Sequence, residues 1–182
     1  IFGQDGGEIV SNKLLDFPLQ NMLYKKDVHP DGYKSATPVL YNESGLNDLW
    51  TTISGAGYGF IIPGTSTYVT IGKSGGHESG VGYKIVQETG YKCPGPCSKN
   101  SKDNYSHYWL WNVNDLIKAK YGLVQPHDIR PYEYGKWDVP VDLSGATING
   151  GSFDPTTNTL YRTVPKGDRT AKYDRPPVFL VY

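Results

Sequence analysis

The glycine-flanked run Gly75-Gly76-His77-Glu78-Ser79-Gly80 holds the residues of this chain best suited to chemistry. An imidazole beside a carboxylate can act as acid and base, or bind a metal. The same run also reads as a long hairpin connection, with glycines for positive φ and solvated polar side chains. Adjacent side chains meet at one point only if the fold turns them there, so His77 and Glu78 stand as catalytic candidates without a fixed partner. Ser74 and Ser79 lack the strand-turn-helix setting of a nucleophile elbow. The glycines lack the Lys-Ser/Thr end of a phosphate-binding loop, and no cofactor is implied. Asp115, Asp128, Asp138 and Asp142 invite a paired-carboxylate reading, as in glycoside hydrolysis. Spacing does not place any two of them face to face. Asp115 is more simply a first-turn helix acid, and Asp128 a turn residue.

Aromatic residues offer a second chemistry. A flat ring suits the C–H face of a sugar while Asp and Asn bind its hydroxyls. Trp109 and Trp111 lie two apart on an expected strand, which makes them core residues before they are a platform. Trp50, Tyr105 and Trp137 are therefore the ligand-binding candidates.

The two cysteines form the run Cys93-Pro94-Gly95-Pro96-Cys97. Two prolines and a glycine bend the chain back and bring the thiols into bridging range, and so short a ring adds about 2 kcal/mol of stability. A zinc site completed by His77 or His107 is the alternative. No second closely spaced ligand pair accompanies it, so a disulfide is the expectation, with no metal. A disulfide in turn points to an oxidising compartment.

These residues must be positioned by many short strands. Fifteen Tyr, four Trp and five Phe with 22 Gly and 13 Pro describe strands and turns, whereas a single Met and few helix formers argue against a bundle. The 182 residues suit one domain spanning 1–182. Eighteen acidic and 18 basic residues, interspersed, leave no concentrated basic face for nucleic acid. No apolar run reaches the roughly 18 residues that would cross a membrane. The start at Ile1-Phe2-Gly3 reads as a processed or excised piece. Asn-x-Ser sequons at Asn42 and Asn104 matter only in a eukaryotic secretory setting.

Along the chain, Pro38 to Tyr41 reads as a short strand and Leu46 to Trp50 as one helical turn. Phe60 to Ile62, the turn Pro63-Gly64-Thr65-Ser66 and Thr67 to Ile71 form the clearest hairpin, with Val69 and Ile71 on one face and Tyr68 and Thr70 on the other. Gly72 to Gly80 reads as a flexible polar loop, and Val81 to Val86 as a strand. Tyr108 to Val113 is the strongest strand, carrying Trp109, Trp111 and Val113 on one face. A short helix follows, capped by Asn114 and stopped at Gly122. Ile129 to Tyr134 suits an edge strand, given Pro131. Ile148 to Phe153, a turn at Asp154 to Asn158, and Thr159 to Arg162 form the last hairpin, and Pro176 to Tyr182 a closing strand. Periodicity alone fits a sandwich, a barrel or a propeller.

The ordered series Tyr108-Trp109-Leu110-Trp111-Asn112-Val113-Asn114-Asp115-Leu116, Asp128-Ile129-Arg130-Pro131-Tyr132, Gly150-Gly151-Ser152-Phe153-Asp154-Pro155 and Thr159-Leu160-Tyr161 resembles the C-terminal half of uncharacterised bacterial secreted proteins predicted to be β-propellers. The resemblance covers roughly Phe60 to Tyr182. It implies an all-β fold of propeller-like blades, a secreted or periplasmic setting and no established activity. At about 40 to 50 residues per blade, 182 residues supply at most four. The propeller is then small, or is completed by another segment or a second copy of the chain.

Together these readings give a secreted binding protein that recognises an extracellular ligand, a carbohydrate first, through loops and exposed aromatics. The alternatives are a glycan-directed hydrolase or lyase using His77 and Glu78, and a structural or interaction module.

Overall fold

The structure is a computed structural model that describes residues 2–5, 8–16, 37–139, 150–168 and 174–182. It is mostly β, built from small antiparallel sheets, none of them closed. Strands β1 (Phe2–Asp5) and β2 (Glu8–Ser11) pair as a hairpin. A single helical turn, α1 (Thr37–Leu40), comes next. Strands β3 (Gly55–Ile61) and β4 (Thr67–Gly75) form the expected hairpin, with Gly64 at φ +74° in its turn. A short ribbon, β5 (Val81–Tyr83) and β6 (Pro96–Ser98), carries the cysteines. Then come β7 (Asn104–Asn112), the two-turn helix α2 (Val113–Lys120) and β8 (Glu133–Lys136). Strands β9 (Gly150–Asp154), β10 (Thr159–Val164) and β11 (Val178–Val181) end the chain.

The main sheet runs β3-β4-β7-β8, and β11-β10-β9 makes a second. Alternation along β7 decides where everything sits. Pairing Thr70 with Trp109 and Tyr68 with Trp111 puts both indoles on one face. There they pack with Val39, Leu49, Leu116, Ala119 and Ile129. Trp109 is fully buried and Trp111 nearly so. Burying a side chain of that size contributes about 4–6 kcal/mol before entropy. Each indole N–H keeps a partner, Trp109 donating to the Leu49 carbonyl (3.0 Å) and Trp111 to Thr70 Oγ1 (2.9 Å). On the opposite face Val69, Ile71, Tyr108 and Leu110 meet Phe153 and Leu160 of the second sheet. The Phe153 N–H donates to the Tyr58 phenol oxygen across that join (2.8 Å).

Several local expectations are corrected. Pro38 to Tyr41 is not a strand: Pro38 to Leu40 belong to α1, and Tyr41 begins the turn after it. Proline at the second position of a helical turn sacrifices no hydrogen bond. Leu46 to Trp50 is not helical, because the Asn47 amide reaches back to the Val39 carbonyl (2.8 Å) and across to that of Trp50 (2.7 Å). Strand β4 continues to Gly75, since Gly72 and Ser74 pair with His107 and Tyr105. The strand expected over Val81 to Val86 stops at Tyr83, with Lys84 at φ +53°. The helix cap is Asn112, whose side chain accepts from the Asn114 N–H (2.9 Å), and Val113 is already helical. A 3-10 turn at Pro126–Asp128 delays β8 to Glu133. The last hairpin forms as read, with the Asp154 carboxylate accepting from the Thr156 N–H and both threonine hydroxyls. Ile148, Asn149 and Asp142 lie outside the described residues.

Candidate functional site

His77 sits at the end of the long β4–β7 ladder, where the chain leaves Gly75. The segment is not a free, solvated connection. Asp103, buried at the start of β7, accepts through Oδ2 from the Glu78 N–H (3.1 Å), the Ser79 N–H (2.7 Å) and the Ser79 hydroxyl (2.8 Å). Buried Asn42 donates to the Gly76 and His77 carbonyls (3.0 and 2.9 Å) and accepts from the Asn47 N–H (2.8 Å). Gly76 is at φ +71°, and a side chain there would run into Val81.

The imidazole is held at both nitrogens. Nδ1 lies 2.7 Å from the Asn47 carbonyl and Nε2 2.6 Å from Ser74 Oγ. A carbonyl oxygen only accepts, so Nδ1 carries the proton and Nε2 accepts from the Ser74 hydroxyl. Ser74 is buried, and its oxygen lies 2.7 Å from Ser54 Oγ. With the Ser74 proton given to His77, that contact is Ser54 donating to Ser74. Burial holds the pKa of His77 below its ordinary value, against the opposing pull of the Asn47 bond. Its neutral, proton-accepting form is the resting one.

Around it lies an aromatic cluster on the same face. His107 is 3% exposed and its ring is 4.5 Å from Trp109 and 5.9 Å from His77. Burial, with repulsion from His77, pushes its pKa down to about 4. Tyr134 donates to Asp48 (3.0 Å), and its phenol is pushed up to about 12, chiefly by burial. The Tyr105 phenol is pushed up further, by burial and then by Asp103 and Glu78.

The structure does not bring His77 and Glu78 to one point. The Glu78 carboxylate is largely exposed and pairs with Lys136 Nζ at 2.6 Å, whereas both His77 nitrogens are occupied elsewhere. Asp115 pairs with Lys118 (2.8 Å), and Asp128 lies beside His127. Cys93 and Cys97 form a disulfide, as the sequence leads one to expect, so the zinc alternative with His77 or His107 fails. Among the described residues no three His, Cys, Asp or Glu side chains gather as metal ligands.

The three aromatic candidates separate by face. Trp50 packs onto the Trp109 ring, centroids 4.7 Å apart, at the edge of the core. Tyr105 lies on that same face of the main sheet, with Lys136 Nζ 4.4 Å from its ring centre. Trp137 turns to the other face and lines an open groove of about 430 Å³ with Tyr108, Val69, Leu110, Lys136 and Asp138. Behind it, the Arg162 guanidinium stacks 4.2 Å from the Trp137 ring centre, and Tyr182 packs alongside. Arg162 is fully buried, and none of its side-chain nitrogens has a hydrogen-bond acceptor among the described residues. Burial lowers its pKa, with Tyr182 acting in the opposite direction.

A second pocket, of about 370 Å³, has Ser54, Lys73, Pro96, Cys97 and Asn104 in its wall. Asn42, Asn47 and Ser54 escaped the sequence reading. Asn42 bonds across 34 positions and Ser54 across 20, and no local pattern announces such contacts.

Comparison with known proteins finds no matching family model, no matching curated protein and no matching solved structure. Function has to be read from the geometry. Among the described residues no helix is long and apolar enough to cross a membrane.

Proposed function

We propose that this chain is a secreted, propeller-like binding protein that holds an extracellular carbohydrate in the groove between Tyr108 and Trp137. The groove carries this reading. Its apolar floor of Val69 and Leu110 and its two aromatic walls suit the C–H face of a sugar ring, while Asp138 in the same lining is a partner for hydroxyls. Arg162 and Tyr182 behind Trp137 brace the indole, and a wall already in place costs little entropy on binding. The disulfide favours an oxidising, extracytoplasmic setting. A panel of immobilised oligosaccharides is the test. The wild type should retain at least one, and Trp137→Ala should lose it while Trp50→Phe and Tyr105→Phe keep it. No retention, or retention by Trp137→Ala, would sink the reading.

The interaction-module alternative has one observation in its favour. Phe179 and Val181 on β11 are exposed and stand beside exposed Tyr161, at the edge of a three-stranded sheet. A second copy that completed this sheet would make the chain a dimer in solution. A monomer by sedimentation would remove that alternative.

A further inference from the structure

Helix α2 carries apolar residues on both of its faces. Leu116 and Ala119 turn inward and pack with Trp109 and Trp111. Ile117 turns outward and is 46% exposed. Just past the helix, Tyr121 and Leu123 are 70% and 73% exposed, more than any other large apolar side chain among the described residues. The helix stop gathers the three. The Leu123 N–H donates to the Lys118 carbonyl (2.9 Å) and the Gly122 N–H to that of Ala119 (3.0 Å), with Gly122 at φ +71°. Such a left-handed glycine stop folds the next residue back toward the last helical turn, the turn that opens with Ile117. Tyr121 stands four residues after Ile117 and so over the same side. The result is an apolar tip held in place by backbone hydrogen bonds. Two lysines flank it. Lys118 pairs with Asp115 (2.8 Å), whereas Lys120 has no ion pair among the described residues and lies with Nζ 5.7 Å from the Tyr121 ring centre.

We propose that this tip docks the protein on an anionic lipid surface. Ile117, Tyr121 and Leu123 enter the headgroup region, and the Lys120 ammonium stays among the lipid phosphates. A ring and two aliphatic side chains beside lysine suit that boundary, because the apolar groups leave water while the charged ends remain hydrated. The charge also selects the occupant. Lys120 attracts an anionic surface and would repel its own counterpart on a second copy, so the tip of another chain is disfavoured. The tip lies on the interface and does not span the membrane. It belongs to the Trp109 face of the main sheet, across from the groove between Tyr108 and Trp137, so docking leaves that groove open.

The test is co-sedimentation of the full chain with vesicles of phosphatidylcholine alone and of phosphatidylcholine mixed equally with phosphatidylglycerol, at about 0.1 M salt. Saturable binding to the mixed vesicles is expected, with binding to phosphatidylcholine alone at least fivefold weaker. Tyr121→Ser/Leu123→Ser should cut the affinity at least tenfold. Lys120→Gln should cut it about fivefold, the worth of one lysine near such a surface. Phe179→Ser, which removes an equally exposed apolar residue on β11, should leave it unchanged. These changes touch exposed side chains, and a thermal melt matching the wild type shows that the fold is kept. Four results would each overturn the proposal: no binding to the mixed vesicles, equal binding to both kinds, wild-type binding by folded Tyr121→Ser/Leu123→Ser, or an equal loss in Phe179→Ser.

Discussion

His107 makes the fold sensitive to mild acid, and the size of the effect follows from its surroundings. The residue is 3% exposed, and its ring is enclosed by Trp109, His77, Tyr105 and Tyr134. Its Nδ1 has no hydrogen-bond partner among the described residues. Burial holds its pKa down at about 4, against the 6.5 of an imidazole in water. Between those values the unfolded chain binds more protons, so stability rises with pH across the window. It is fully present above about pH 6.5 and is lost as pH falls toward 4. At about 1.4 kcal/mol per tenfold change in proton affinity, the whole effect is about 3 kcal/mol, most of it lost between pH 7 and 4.5. His77, also lowered by burial, adds in the same direction. Urea unfolding followed by tryptophan fluorescence at pH 7 and 4.5 measures it, on wild type and on His107→Phe, which keeps an aromatic ring beside Trp109. The wild type should lose stability on this scale, and His107→Phe should lose markedly less. Equal pH dependence in the two proteins, or a His107 resonance titrating near 6.5 in the folded state, would refute the reasoning.

Two further outcomes are expected. Cys93→Ala/Cys97→Ala should lower stability by about 2 kcal/mol on the chain-entropy account, seen as a Tm drop of roughly 4–8 °C by calorimetry. Asp103→Ala removes the acceptor of three hydrogen bonds, so about 3 kcal/mol should be lost, with faster amide exchange at Glu78 and Ser79. Asp103→Asn keeps one acceptor oxygen and should lose less.

Where the fold was legible in the sequence, the signal was local. Pro63-Gly64 and Asp154 to Asn158 carry their turn chemistry within a few residues, and the alternation of Trp109 and Trp111 with Tyr108 and Leu110 survives unchanged into the sheet. The disulfide was readable for the same reason. What was missed depends on distant partners. Gly72 to Gly75 look like loop by composition, yet β7 supplies a strand for them to pair with. Asn42 and Asn47 look like turn residues, and only the folded chain shows them binding carbonyls from α1 and from the loop after β4. The sequence drew attention to His77 beside Glu78. The structure joins His77 to Ser74 and Ser54 instead, because the strand running through Ser74 turns the imidazole back onto it.

The central claim, that a carbohydrate lies against Trp137, is tested most directly by the indole N–H resonances in a titration with the retained oligosaccharide. The chain has four tryptophans, so four signals, and the Trp137 signal is assigned by its loss in Trp137→Phe. The Trp137 resonance should move with saturable dependence on ligand, while those of Trp109 and Trp111, bonded to the Leu49 carbonyl and Thr70, stay in place. A Trp137 signal that stays fixed while the ligand binds would contradict the account.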